Sequence, residues 1–250
     1  MRHTFRYLVA DAPEAGAEVA LSAADSHHLA RVVRRRQGDT VELMDGAGTR
    51  WTAVVVEAGE RARVRVEEAS AAPAPPMSVI LYQGLIDAGR LDTVVEKAAE
   101  LGVEEVAIVV TERARRVPGA EAWERRRQRM LRVAESAARQ SGQARLPRLR
   151  GLVPFPEAVS EIPAGEGFLI DPRGDASLPS ALTGREGARA RVSLVVGPEA
   201  GFGEAEVAAA RTAGLAVCGL GTGILRAETA ALVAVSLALA AGGGLGEVPG

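Results

Sequence analysis

Three stretches of this 250-residue chain carry residue types that do chemistry. The first is Gly197-Pro198-Glu199-Ala200-Gly201-Phe202-Gly203, which follows the apolar run Val195-Val196. Glycines allow positive φ and let a ligand approach the backbone closely. Three glycines in seven residues, with Glu199 at the centre, suit a binding loop that is not a simple anion cradle. The second stretch, Gly219 to Thr229, reads Gly-Leu-Gly-Thr-Gly-Ile-Leu-Arg-Ala-Glu-Thr. Its charged residues, Arg226 and Glu228, open an otherwise apolar helix. They form either a local ion pair or cap, or a charged edge on a site shaped by the two glycine loops. A nicotinamide fingerprint is excluded, because the full G-x-G-x-x-G is missing and the loop closes the last β-unit rather than the first. The third stretch is the arginine helix Glu124–Arg132, which sets Arg125, Arg129 and Arg132 on one face, and the run His28–Arg36 is similar. Such stripes serve either as solvated faces or as contacts to an RNA backbone.

Other chemistries drop out. The lone cysteine, Cys218, excludes a disulfide scaffold and a thiolate zinc site, and it sits in a strand as an inert buried thiol. The histidines are His3, His27 and His28, with neither metal-pair spacing nor a carboxylate partner, so no metal is expected. No G-x-S-x-G elbow is present for a serine hydrolase.

The elements that must hold these residues divide the chain in two. Residues 1–70 contain short β-rich runs at Thr40–Met44, Trp51–Glu57 and Arg63–Glu67, separated by turn signals at Asp45-Gly46 and Ala58-Gly59. This predicts a small β domain, a barrel, with a short helix over His27–Val33 preceded by Ser22–Asp25. Residues 71–76, Ala-Ala-Pro-Ala-Pro-Pro, form the linker, since proline fixes φ and removes a donor. Residues 77–250 alternate apolar strands (Val79–Tyr82, Val106–Val110, Phe168–Ile170, Val192–Val196, Ala216–Leu220) with helices (Leu91–Leu101, Trp123–Ser141, Glu204–Ala213, Ala227–Ala241). That alternation predicts an α/β sheet with parallel strands. Ligands bind such sheets at loops beyond the strands' carboxyl ends, where both glycine loops fall.

Composition sets the surroundings. Thirty basic residues face 32 acidic ones, and 47% of the chain is hydrophobic, as in ordinary globular proteins. Net charge is −1 over residues 1–70, +4 over 71–150 and −5 over 151–250, so the basic excess is central. Arginine supplies 29 of the 30 basic residues, and Lys97 is the single lysine. The longest apolar stretch, Thr229 to Ala241, is 13 residues, too short for a membrane span. The N-terminus lacks the apolar run of a signal peptide, so a cytoplasmic location is expected.

Together these stretches resemble the SPOUT-class 16S rRNA uridine-N3-methyltransferases, the RsmE family, over nearly the whole chain. His28-Leu29-x-x-Val32-Val33-Arg34, Gly38-Asp39-x-Val41 and Asp45-Gly46-x-Gly48 look like its PUA-like RNA-binding domain. Val94-Val95-Glu96-Lys97-Ala98-Ala99-Glu100-Leu101-Gly102-Val103 is similar to its signature helix, and Glu135–Gly142 to another motif. Gly197–Gly201 and Leu220–Ala230 resemble its two cofactor loops. Three positions depart from the family pattern. Ala200 replaces a glycine, Gly223 stands where a basic residue is frequent, and Asp87-Ala88 occupies the place of Lys-Gly.

The resemblance implies a PUA-like β-barrel followed by a SPOUT α/β domain with a deep trefoil knot and a homodimer, with Leu232, Val235 and Leu239 of the final helix in knot and dimer packing. It implies S-adenosyl-L-methionine held by Gly197, Pro198, Glu199, Gly201, Leu220, Gly221, Ile224, Leu225 and Arg226. It implies methylation of a uridine N3 in 16S rRNA of the small ribosomal subunit, with RNA contacts from His28, Arg31, Arg34, Arg90, Lys97 and Arg139. N3 must lose its proton before attack, which calls for a base and for stabilisation of the developing charge. Arg226 is the candidate for stabilising the uracil anion or holding the phosphate, and Glu199 or Glu228 either is the candidate base or instead orients Arg226. Two other readings compete: a non-catalytic rRNA-binding or assembly protein with a degenerate pocket, and a SPOUT 2′-O-methyltransferase.

Overall fold

In the first β-rich segment, strict alternation decides which face is buried. The computed structural model describes residues 5–10, 12–73, 75–184 and 190–245. The N-terminal residues read above for targeting, with His3, lie outside the described residues. Trp51, Ala53 and Val55 of β4 (Thr49–Glu57) and Val64 and Val66 of β5 (Arg63–Ala71) are buried, while their neighbours face outward. With β1 (Arg6–Leu8), β2 (Glu18–Ala20) and β3 (Thr40–Met44), they form a five-stranded sheet of order β1-β3-β4-β5-β2. The β1–β3 pair is parallel and the other pairs antiparallel. The expected closed barrel is a half-barrel. β1 and β2 are three residues each and pair one neighbour apiece, and among the described residues no ladder joins them. Its core gathers Tyr7, Leu29, Val41, Leu43 and Trp51. The expected single helix is two pieces, α1 (Ala23–His27), capped by the Ser22 side chain, and a π-helical turn, His28–Val32.

β5 continues to Ala71, paired with Thr49, so the proline-rich segment is shorter than 71–76. The chain divides into two units, Met1–Ala74 with Glu135–Leu146, and Pro75–Ala134 with Pro147–Gly250. The division is therefore not a single cut. Glu135–Leu146 joins the first unit through Arg139 Nη1 to Asp25 Oδ1 (2.8 Å), Arg50 Nη2 to the Gly142 carbonyl (2.6 Å) and the Leu146 amide to the Gly46 carbonyl (2.8 Å).

The second unit holds a seven-stranded sheet of order β10-β12-β9-β11-β6-β7-β8, with every pair parallel. Its strands are β6 (Met77–Gly84), β7 (Glu105–Val110), β8 (Arg148–Pro154), β9 (Gly167–Ile170), β10 (Ala176–Ser177), β11 (Ala190–Val196) and β12 (Ala216–Gly219). Near-continuous burial along β7, β9 and β11 is the signature of a sheet covered on both faces. The helices are α2 (Ala88–Leu101), α3 (Ala120–Ser141), α4 (Phe155–Ser160), α5 (Leu178–Leu182), α6 (Glu204–Thr212) and α7 (Ala227–Ala241). α2 starts where the Asp87 carboxylate accepts from the Gly89 and Arg90 amides. It ends at Gly102 in the left-handed region (φ 77°). Leu91, Val94, Val95 and Ala98 turn its buried face inward. Trp123, Met130 and Ala134 do the same on α3.

Candidate active site

Because β12, β9 and β11 are parallel neighbours, the loops leaving their carboxyl ends emerge side by side. Between them lies a cavity of about 360 Å³. The β11 loop lines it with Gly197, Pro198, Glu199, Gly201 and Phe202. The β12 loop and the start of α7 line it with Leu220, Gly221, Gly223, Ile224, Leu225 and Arg226. All nine cofactor positions expected from the sequence thus face one space. The β9 loop adds Ile170, Asp171 and Pro172, and α2 adds Arg90.

Close backbone approach explains one glycine and positive φ another. A Cβ on Gly84, at the end of β6, would lie 2.6 Å from the Pro198 nitrogen and 2.8 Å from the Gly197 carbonyl carbon. Gly201 has φ 67°, the left-handed region that glycine enters without penalty. Ala200 needs no such freedom. Arg34 (φ 54°) is the one non-glycine residue with positive φ among the described residues, so the methyl group at Ala200 meets no backbone strain. The Ala200 carbonyl accepts from Arg113 Nη1 (2.9 Å), which ties this loop to the segment after β7.

The β9 loop was not singled out from the sequence. Asp171 is 3% exposed and is held by Arg173 through Nε–Oδ1 (2.7 Å) and Nη2–Oδ2 (2.8 Å). Arg173 Nη2 also donates to the Phe202 carbonyl (3.1 Å), joining two of the three loops. The guanidinium bonds hold the Asp171 carboxyl below its ordinary range, against the opposing effect of burial. The available signal was an Asp-Pro-Arg turn at the end of a buried strand, a charged pair where the sheet places its ligands.

Arg90 is the hub of the charged wall. Its Nε lies 3.0 Å from Asp87 Oδ2 and 3.8 Å from Glu228 Oε1, and its Nη1 donates to Glu199 Oε1 at 3.1 Å. Glu228 does not line the cavity. Its side chain is 16% exposed, and Oε2 is buried without a hydrogen-bond partner among the described residues. Arg226 caps α7 from the exposed side, and its side chain has no hydrogen bond or ion pair among the described residues. Of the two sequence alternatives for the Arg226–Glu228 pair, the local ion pair is absent, because Glu228 faces Arg90 instead.

The expected RNA contacts are divided between the two units. His28, Arg31, Arg34 and Arg139 belong to the first unit, Arg90 and Lys97 to the second. His28 Nδ1 sits 3.3 Å from the Tyr7 hydroxyl, while Arg31 and Arg34 are exposed. Arg139 is taken up by Asp25 and Glu135. Lys97 Nζ is 2.7 Å from Glu96 and 2.8 Å from Glu100, bonds that raise its pKa. Arg129, expected on a free stripe, meets Asp92 at 2.7 Å. Cys218 is buried, which pushes its thiol up. Among the described residues no group of three His, Cys, Asp or Glu side chains is placed to hold a metal. No described helix is long and apolar enough to cross a membrane.

Comparison with known proteins gives this arrangement a family. An RNA methyltransferase domain family matches residues 73–239, and an RNA methyltransferase PUA domain family matches residues 21–67. Ribosomal RNA small subunit methyltransferase E of Mycobacterium bovis is 33% identical over 236 residues, covering 89% of this chain and 86% of its own. A methyltransferase from Legionella pneumophila, solved with the cofactor SAM, superposes with a TM-score of 0.86 at 26% identity, covering 96% of this chain and 98% of its own. Ribosomal RNA small subunit methyltransferase E from Neisseria gonorrhoeae, bound to S-adenosyl methionine, gives 0.83 at 28% identity, with 94% and 96% covered. With its cavity built from the loops of a parallel sheet and its PUA domain ahead of it, the chain belongs to the RNA methyltransferase family that includes ribosomal RNA small subunit methyltransferase E.

Proposed function

We propose that this protein transfers a methyl group from S-adenosyl-L-methionine to N3 of a uridine in 16S rRNA of the small ribosomal subunit. One observation carries the reading. Glu199, Arg226 and the two glycine loops line a single cavity, so binding groups, a carboxylate and an unpaired guanidinium converge. The cavity suits the cofactor, since about 360 Å³ falls within the usual range for small-molecule sites. Backbone groups of Gly197, Leu220 and Gly221 would hold its polar parts, and Ile170, Ile224 and Leu225 its adenine. The cofactor supplies an electrophilic methyl group on a sulfonium.

The chain's own residues do the rest. Uracil N3 carries a proton, and attack requires its removal by a nearby base. Glu199 is the base that lines the cavity, and Arg90 fixes its carboxylate. Glu228, nearly buried behind Arg90, is a positioning residue. Arg226, free to turn toward substrate, stabilises the negative charge that forms on the uracil oxygens. His28, Arg31 and Arg34 on the PUA unit hold RNA, with Arg90, Lys97 and Arg139 contributing charge behind their carboxylate partners.

The knot and the homodimer belong to the same proposal. In the second sheet the chain lays β11 between β9 and β6, then returns for β12 beyond β9, an order that suits a knotted passage. Ile224 is 91% exposed, and Leu232, Val233 and Leu237 leave an apolar stripe half-open on α7, a face suited to a second copy. A ribosomal substrate makes the cytoplasm the site of action.

The test is mass spectrometry of nucleosides from small subunits of a deletion strain, treated with the protein and S-adenosyl-L-methionine. 3-Methyluridine is expected. A 2′-O-methylated product would overturn the assignment of N3. RNA binding with no product and no heat on cofactor titration would favour the assembly-protein reading.

A further inference from the structure

Beside the cofactor cavity lies a second, larger cleft of about 980 Å³, and the two share Arg90 and Glu199 as their common wall. Its far wall carries Arg115 and Arg116, from the loop after β7, and Arg126 on α3. None of these three has a hydrogen bond or ion pair through its side chain among the described residues. Arg90, Arg125, Arg127, Arg129, Arg148 and Arg150 of the same unit are, by contrast, each paired with a carboxylate. Four arginines and two carboxylates line the cleft, and both carboxylates, Asp87 and Glu199, are already held by Arg90. The uncompensated charge is therefore positive and sits on one side.

The loop that bears Arg115 and Arg116 is anchored. The Glu112 amide donates to Glu206 Oε1 (2.8 Å), and Arg113 reaches the Ala200 carbonyl, so the loop is registered against the cofactor loop itself. Arg126 is half-buried, which limits how far it can swing.

The proposed reaction, on which this inference rests, sets a geometric demand. N3 lies on the Watson–Crick edge, so the target base must be unpaired and turned out of its stack to present it. An extruded nucleotide is held by its flanking phosphates, and arginine's planar fork is the side chain that grips phosphate in two-pronged fashion. We infer that the cleft of Arg115, Arg116 and Arg126 is the receptor for the RNA phosphates flanking the target uridine, with the uracil directed across the Arg90–Glu199 wall. Val117, 50% exposed at the cleft, offers an apolar contact for a neighbouring base.

The test is the combined variant Arg115→Ala, Arg116→Ala, Arg126→Ala, compared with the unaltered protein by filter binding to small-subunit rRNA across a salt series, alongside calorimetric titration with S-adenosyl-L-methionine. Three lost phosphate contacts should weaken RNA binding at least about tenfold and flatten the slope of log affinity against log salt by about 2. Cofactor affinity should not change. The corresponding lysine substitutions should restore most of the salt slope, because they keep the charge. An unchanged affinity and slope in a variant that still binds cofactor would overturn the inference. If the combined variant does not fold, Arg116→Glu on the exposed loop gives the same reading singly. The proposed reaction fails separately: an unaltered protein that grips rRNA through these arginines yet yields no methyluridine leaves the cleft standing and removes the chemistry.

Discussion

Arg173 grips the buried Asp171 with two nitrogens, at 2.7 and 2.8 Å, and with the second of them also bonds the carbonyl of Phe202 at 3.1 Å. One side chain thus fastens the β9 loop to the β11 loop across the cofactor cavity. Arg173→Ala leaves a carboxylate 3% exposed without its partner. Because Arg173 is itself half-exposed, the expected loss is a discounted one, about 1–3 kcal/mol, with weaker cofactor binding. The pair also sets a pH dependence. The Asp171 carboxyl is held below its unfolded value of 3.8, so its contribution is full above that value and lost as pH falls through the folded one. Thermal melts from pH 6 down to pH 3 should fall more steeply for the unaltered protein than for Arg173→Ala. Parallel acid limbs would refute the coupling.

Arg226→Ala should lower methyl transfer by about 10²–10³-fold, the usual loss of one charge-stabilising donor. Cofactor binding, measured by calorimetry, should persist because backbone groups supply most of it. Undiminished turnover would remove Arg226 from the reaction.

Glu199 and Glu228 are separable. Glu199→Gln should cost about 10²–10⁴-fold in kcat, the range for a lost general base. Glu228→Gln should lose less, since it acts through Arg90. The reverse pattern would exchange their roles.

Gly84→Ala probes the close approach of β6 to the cofactor loop. The new Cβ would meet the Pro198 nitrogen at 2.6 Å, and neither backbone can yield without moving the loop. A loss of about 1–3 kcal/mol in stability is expected, with cofactor affinity down on the order of tenfold. A normal melting temperature would show that the loop relaxes freely.

Sedimentation of the unaltered protein should give twice the chain mass. Replacing Leu232 and Leu237 by Asp should shift it toward one copy. A monomer in the unaltered protein would refute the dimer.

The sequence showed the strands and helices of the second unit well because their burial is extreme. β7 and β11 read as apolar runs, and Gly102 and Gly214 both end helical segments at positive φ. β8 escaped notice because Arg148 and Arg150 alternate along a strand at the sheet edge, where only Val153 is buried. β1, β2 and β10 are too short for periodicity to register. The two glycine loops stood out by composition, but the Asp171–Arg173 bond to Phe202 did not. Its partners lie far apart in sequence and meet only because β9 and β11 are neighbours. Which arginines are paired and which are free was unreadable for the same reason. Nothing local marks Arg129 as claimed by Asp92, or Arg115, Arg116 and Arg126 as unclaimed.

The strand order also sets a timetable. Met77 of β6 pairs with Ala190 of β11, and β12 joins last, against β9. Such non-local parallel pairing folds slowly. On a translating ribosome, the cofactor cavity has no third wall until β12 and the loop after it have emerged. The first unit is complete only once Leu146 has emerged, and the second sheet stays unclosed until β12, so over that interval a nascent copy carries a finished PUA unit and an unfinished cofactor cavity.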